Sequence, residues 1–371
     1  MNSKERLMAV YSGRQPDRVP VQPCFAYLLP MRRSGWPFNK FAGDFAKQTL
    51  DTYRHYGADA RIWLPIGGSN PGVRYESSVQ EFPDGTQVIA WSAESASGRL
   101  CGKTKTFPDA APAPIEYPVK DLRRDLPVVF EQLPRPQDFR SDHAPAVYEM
   151  IGGDGIAMWS PPAQFLGWLA GSRQGGIVQA VYDLCDDAPF LAEFRERLLD
   201  WYLRVVEHVL STTPCIDVVM PNSGTISLNT MGPELYRRWD MPFIRGQAGV
   251  VHKHGKPLHV HQHGYCMGIL DDLVDAGVDM ICPFERPPGG DVVSLAAVRK
   301  HFGRIGIMGN VHTIDVLYRG TPDDVRRQVR QCIDDARGGP FILSTGDQVA
   351  DLTPDDNIRA FCDAGRQYGI I

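Results

Sequence analysis

Short apolar runs alternate with longer amphipathic ones along the chain. Eight of the short runs predict strands: Arg18–Val21, Ala60–Leu64, Gly155–Met158, Asp217–Met220, Pro257–His261, Asp279–Pro283, Arg304–Met308 and Phe341–Ser344. Most are rich in Val, Ile or Leu and close on Gly, Pro, Asn or Ser, the punctuation expected of buried strands. The intervening segments have helical spacing. Asp187–Leu210 places Phe190, Phe194, Leu198, Leu199, Tyr202, Val205 and Val209 near one face. Pro233–Lys253 reads as one helix opening on Pro-Glu. Thr321-Pro322-Asp323-Asp324 reads as an N-cap with Pro at the first helical position, and Thr353-Pro354-Asp355-Asp356 repeats it before Asn357–Tyr368.

Eight strands alternating with helices predict a parallel α/β sheet, and the count favours closure into a (β/α)8 TIM barrel. The rhythm breaks between Ser69 and about Pro145, where Pro-rich, β-leaning sequence carries Asp84-Gly85 as a turn between Val79–Phe82 and Thr86–Trp91. This stretch reads as a β-hairpin-bearing insertion after the second strand. Residues 1–371 then form a single barrel domain with an insertion over about 69–145.

Composition narrows the function. A net charge of −5, with Lys and Arg scattered, argues against nucleic acid as a partner. No apolar run approaches the roughly 18 residues needed to span a bilayer. The start, Met1 to Met8, turns charged at once, and Tyr368 to Ile371 carries no lipidation signal. The eight cysteines include no CxxC pair, so a cytoplasmic protein with free thiols is expected.

The densest polar cluster is His259-Val260-His261-Gln262-His263-Gly264. Alternate strand residues share a face, so the three imidazoles fall on one side, with His261 and His263 at the C-terminal rim where barrel enzymes build their sites. Imidazole pairs chelate metals; one or two of the three serving as buried structural residues is the competing reading. Asp347 follows the last strand and Glu285 follows Asp279–Pro283. A turn role competes for Asp347, and a salt bridge to Arg286 or a loop cap competes for Glu285. Asn222, and Asn310 with His312, follow other strands as candidate substrate contacts, although a turn role explains the asparagines equally. Phe25, Tyr27, Trp36 and Phe38 suit an apolar pocket wall, while His252 and His254 complement a helix C-terminus. GxGxxG, Walker, GxSxG and HExxH motifs are absent.

The order of these motifs resembles the uroporphyrinogen decarboxylase superfamily, especially its branch of cobamide-dependent methyltransferases. The resemblance rests on Gly13 to Val21, Tyr53 to Asp59, Gly309-Asn310-Val311, Gly320-Thr321-Pro322, Ser344-Thr345-Gly346 and Thr353 to Asn357. It implies a (β/α)8 barrel. The decarboxylase's arginine-rich N-terminal motif is missing from Val21 to Tyr27, and Asp347 stands where that enzyme has a histidine, so a porphyrinogen is not the expected substrate.

In the methyltransferase branch a His-x-Cys pair and a later Cys hold zinc. Their positions fall here on His261, His263 and Asp347, all able to bind a metal but harder than thiolates. The resemblance thus implies a divalent ion held by these three residues, zinc first, with Fe, Mn or Ni accepted more readily than at a thiolate site. It further implies a methyltransferase acting on a small O- or S-methyl substrate or acceptor, with the corrinoid on a separate protein. Glu285 is the expected acid–base group or fourth ligand. His259, one strand step inward, is expected to orient a ligand. The alternative is a metal-dependent decarboxylase, lyase or hydrolase that works without a corrinoid. The family forms monomers or homodimers.

Overall fold

A computed structural model describes residues 1–36, 43–108, 110, 112–186, 188–221, 228–301 and 305–370. The strands in chain order are β1 (Ala60–Trp63), β2 (Gly67–Gly68), β3 (Arg74–Glu81), β4 (Gln87–Ser95), β5 (Gly98–Thr106), β6 (Ala113–Glu116), β7 (Phe139–Arg140), β8 (Gly155–Trp159), β9 (Val218–Val219), β10 (His259–Gln262), β11 (Met280–Pro283), β12 (Gly306–Val311) and β13 (Phe341–Thr345). Two all-parallel sheets, β1-β8-β9 and β10-β11-β12-β13, carry the α/β part. A parallel bridge joins Val219 to Leu258, and another joins Val21 to Leu343.

Alternation along the strands separates two buried clusters. Ile156, Met158, Val218, Met220, Met280, Cys282, Met308 and Ile342 face one side, together with Leu7 and Val10 from the helix Ser3–Tyr11. Their strand neighbours Ala157, Val219, Ile281, Ile307 and Leu343 face the helices in a second, larger cluster.

The first apolar run forms only isolated bridges, and a buried ionic knot holds it in place. Asp59, fully buried just before β1, accepts hydrogen bonds from Arg6 Nη1 at 2.7 Å, Arg18 Nη1 at 3.0 Å and the Val21 amide at 2.7 Å. The Asp59 amide donates to Val21 O and the Gln22 amide to Leu343 O, each at 2.8 Å, so the run is stitched to β1 on one side and β13 on the other.

β3 to β6 form a separate four-stranded antiparallel sheet, turning at Asp84-Gly85 with Glu81 opposite Gln87. All eight residues of β3 are exposed, while Gln132 on the helix Leu122–Gln132 donates to Ala93 O of β4 at 3.0 Å.

Two helix boundaries differ from expectation. The segment expected as one helix over Pro233–Lys253 is two, Leu228–Trp239 and Met241–Lys253. Pro242 supplies no amide donor at the second helix's first turn. The intervening Asp240 turns its carboxylate to the Leu166 amide at 2.8 Å. Thr321 caps its helix as expected, through a reciprocal pair of bonds with Asp324. Thr353 does not repeat it: the last helix runs Asp355–Tyr368 behind Pro354, and Thr353 is buried.

Two predictions follow from these buried carboxylates. Asp59→Asn removes the charge facing Arg6 and Arg18 and is expected to cost about 3 kcal/mol of unfolding free energy, read from urea denaturation. Burial raises the Asp240 carboxyl from 3.8 to about 7. Its raised native pKa favours the protonated native state, so this stabilisation is complete below about pH 4 and is lost as pH climbs through 7. The wild-type Tm should fall across that window, and Asp240→Asn should flatten the fall.

Candidate functional site

The C-terminal end of β10 brings the imidazoles together. His259 is fully buried, with Nδ1 2.7 Å from the Tyr11 hydroxyl, and burial together with the nearby Arg61 charge holds it well below the ordinary histidine range. His261, two residues on, places Nδ1 3.0 Å from Cys282 Sγ and Nε2 2.8 Å from His263 Nε2. Their rings meet edge to face with centroids 4.4 Å apart. Beyond them Gly264 adopts φ +65°, and its amide donates to Glu285.

Two carboxylates close on His263. Glu285 Oε1 lies 3.1 Å from Nδ1, and Asp347 Oδ1 lies 3.9 Å from Nε2. One ligand atom from each of His263, Glu285 and Asp347 falls within 4.8 Å of the others. His261 reaches this trio through its contact with His263. Glu285 is therefore paired across the strands, not with its neighbour Arg286, whose guanidinium donates to Asn310 O and Val293 O.

The electrostatics follow from that packing. Burial pulls His263 down, but the Glu285 hydrogen bond and the Asp347 charge outweigh it and raise the imidazole above 6.5. Burial pushes Glu285 up, but the bonds from His263 and the Gly264 amide leave it below 4.5. Asp347 is raised by burial, partly offset by His263. His261 is driven well down by burial and by the charge of His263, so it is a neutral imidazole.

The loop geometry depends on one glycine. Gly309 has φ +154°, and a Cβ there would lie 2.2 Å from Pro283 O, so only glycine lets β12 approach the end of β11 where Glu285 begins its turn. Asn310 beside it is buried: its Nδ2 donates to Phe284 O at 2.8 Å and its Oδ1 faces Cys332 Sγ at 3.5 Å. The structure thus ties Asn310 to the Phe284 turn and does not bring it into the His263 cluster. His312 caps the segment Thr313–Tyr318, its Nδ1 accepting from the Asp315 amide at 3.0 Å. Asn222 lies outside the described residues, as does Phe38.

Tyr27 lines a cavity of about 750 Å³ with Phe45, Trp63, Leu64, Val147 and Met150. Phe25 instead packs in the core against Tyr53 and Tyr56. His252 and His254 bind Asp279 and Glu207, as structural residues do.

One neighbour of the cluster escaped the sequence reading. Arg61, the second residue of β1, is 8% exposed and donates to Cys24 Sγ at 2.8 Å, with Met308 Sδ at 3.7 Å. The available signal was a charged residue inside the otherwise apolar run Ala60–Leu64.

Known proteins bear on this geometry. A model of the uroporphyrinogen decarboxylase (URO-D) family matches residues 176–368, just over half of the chain. Methylcobamide:CoM methyltransferases MtbA from Methanosarcina acetivorans and Methanosarcina mazei are each 23% identical over 224 residues, covering 60% of this chain and 58% of theirs. The chain thus spans a little over half the length of these curated relatives. A uroporphyrinogen decarboxylase from Parasynechococcus marenigrum is 33% identical over 99 residues, 27% of this chain and 26% of its own. A solved methyltransferase from Methanosarcina mazei superposes with a TM-score of 0.68 over 99% of both chains at 17% identity, a likeness of fold.

Glu285→Gln removes the anion that holds up the His263 pKa. In metal-free protein the His263 imidazole should titrate at lower pH than in wild type, measured by NMR of the ring nitrogens.

Proposed function

This chain belongs to the uroporphyrinogen decarboxylase family, and from that premise we propose a metal-dependent methyltransferase for a small O- or S-methyl substrate or acceptor. The observation that carries the reading is the convergence of His261, His263, Asp347 and Glu285 at the C-terminal ends of β10, β11 and β13. In the same reading residues 1–371 are one (β/α)8 barrel domain, with residues 69–145 as a hairpin-bearing insertion after its second strand.

The donor set fits a divalent cation. Two carboxylates face at most one imidazolium, since His261 is neutral, and among the described residues neither Glu285 nor Asp347 has a Lys or Arg within ion-pair distance. His261, His263 and Asp347 would hold the ion, with Glu285 as a fourth ligand or base; two nitrogens and a carboxylate suit zinc, with Fe, Mn or Ni also accommodated. A bound ion of this type supplies Lewis acidity, lowering the pKa of a coordinated oxygen or sulfur. The protein's residues do the rest. Glu285 enters as a carboxylate able to take a proton, steadied by the Gly264 amide. His259, locked by Tyr11, orients the inner face beneath His261. Tyr27 and Trp63 offer apolar wall to the body of a substrate. The methyl group would pass to or from a corrinoid on a separate protein.

The test is methyl exchange between methylcobalamin and a panel of thiols and phenols, using enzyme of measured metal content. Exchange that requires about one zinc per chain and falls about 100-fold or more in His263→Ala and Asp347→Ala is the expected result. Absence of exchange from the zinc-loaded protein overturns the reading. The donor set also favours a second reading, a corrinoid-independent lyase or hydrolase, because imidazole and carboxylate make a harder centre than thiolate. Turnover by the purified enzyme without any corrinoid would select it.

A further inference from the structure

The guanidinium of Arg61 stands apart from the other well-buried arginines. Arg6 has Asp17 and Asp59, Arg173 has Asp183, and Arg299 donates to three backbone carbonyls. Arg61, equally buried, has no carboxylate within 4.0 Å among the described residues; it donates to Cys24 Sγ and Met308 Sδ and also engages the Tyr53 hydroxyl and the Cys282 thiol, all of them neutral groups. Arginine stays charged in proteins and carries five N–H donors in a planar fork. Thiols, a thioether and a phenol bring no negative charge, so this guanidinium is buried without an ion-pair partner of the protein's own. Such a guanidinium is suited to a counter-ion that arrives with a ligand.

The surroundings show what kind of ligand would fit. Cys24, which touches Arg61, bridges to Gln348, next to Asp347. Arg61 therefore sits beside the His261–His263–Asp347 centre and not at a remote position. Both chain segments that hold it continue into the cavity wall: Trp63 follows on the same face of β1, and Tyr27 follows Cys24 by three residues. That wall is mainly aromatic and aliphatic, with Asp44, Lys47 and His143 also on it.

We propose that Arg61 is an anion-binding residue of the rim site, and that the substrate or acceptor is an organic acid whose carboxylate or sulfonate pairs with Arg61 while an apolar, preferably aromatic, body fills the cavity beside Trp63 and Tyr27. This deepens the proposed function and rests on it for the position of the reacting centre. The binding itself is separable from methyl transfer.

Calorimetric titration of metal-free, full-length protein with benzoate, its neutral isostere benzamide, and acetate tests the proposal without corrinoid or turnover. Benzoate is expected to bind about tenfold or more tighter than benzamide, since the amide cannot neutralise a buried guanidinium. Arg61→Met should abolish that preference and leave benzamide unchanged, and Arg61→Lys should restore part of it. Lys47→Met, at the cavity edge, should retain it. Acetate should bind more weakly than benzoate, and Val147→Trp, which fills the cavity, should erase the difference. Equal affinity for benzoate and benzamide in wild type, loss of the preference in Lys47→Met, or undiminished benzoate binding in folded Arg61→Met overturns the proposal, whatever the methyl-exchange assay returns. Equal affinity for acetate and benzoate overturns the assignment of the cavity.

Discussion

The buried carboxylate of Asp59 holds the seam between the two ends of the parallel strand set. Other strands are fixed by ladders of backbone bonds, but the run Arg18–Val21 has only isolated bridges, so side-chain charge does the work that a ladder does elsewhere. A carboxylate that satisfies two guanidiniums and an amide is well paired, and leaving any of those partners alone in the interior is costly. The seam also governs the rim. Arg61 lies two residues beyond Asp59 and Cys24 three beyond Val21, so the contact between them is placed by the knot at the opposite end of the strands.

Parts of this arrangement could be read from the residues alone. Strand alternation is a local rule, and it was legible for His259 and His261, which pair in register with Met280 and Cys282 of one buried cluster, whereas His263 lies just past the end of β10. The partner of Glu285 was not legible. Arg286 is adjacent in sequence, yet the turn after β11 sends the two side chains apart, and His263 comes from another strand. The break at Asp240 was hidden for a similar reason. Apolar periodicity runs through it, whereas the Leu166 amide that engages the carboxylate is remote in sequence. Thr353 matched a capping pattern that Thr321 fulfils, but burial in the core claimed it first. Arg61 was passed over because a single charge in an apolar run carries no spacing to test.

The cysteines sharpen the comparison with thiolate metal sites. Cys282 lies against His261 Nδ1, and burial pushes its thiol up to about 12, so it stays a protonated neighbour of the imidazole rather than an anionic donor. Cys24 plays the corresponding part beside Arg61. Sulfur surrounds the centre, while nitrogen and oxygen point into it. Under the proposed metal-dependent reading, an ion here would meet hard nitrogen and oxygen donors while the neighbouring sulfurs stay protonated.

The antiparallel sheet carries a different kind of information. β3, exposed along its whole length, is an outer strand with one side lacking a partner among the described strands, and such edges readily recruit strands from other molecules. Here Arg74, Glu76 and Glu81 interrupt it with charge, and the opposite edge, β6, is four residues long and contains Pro114, which has no amide to offer. Both borders of the sheet thus carry features that disfavour edge-to-edge strand pairing.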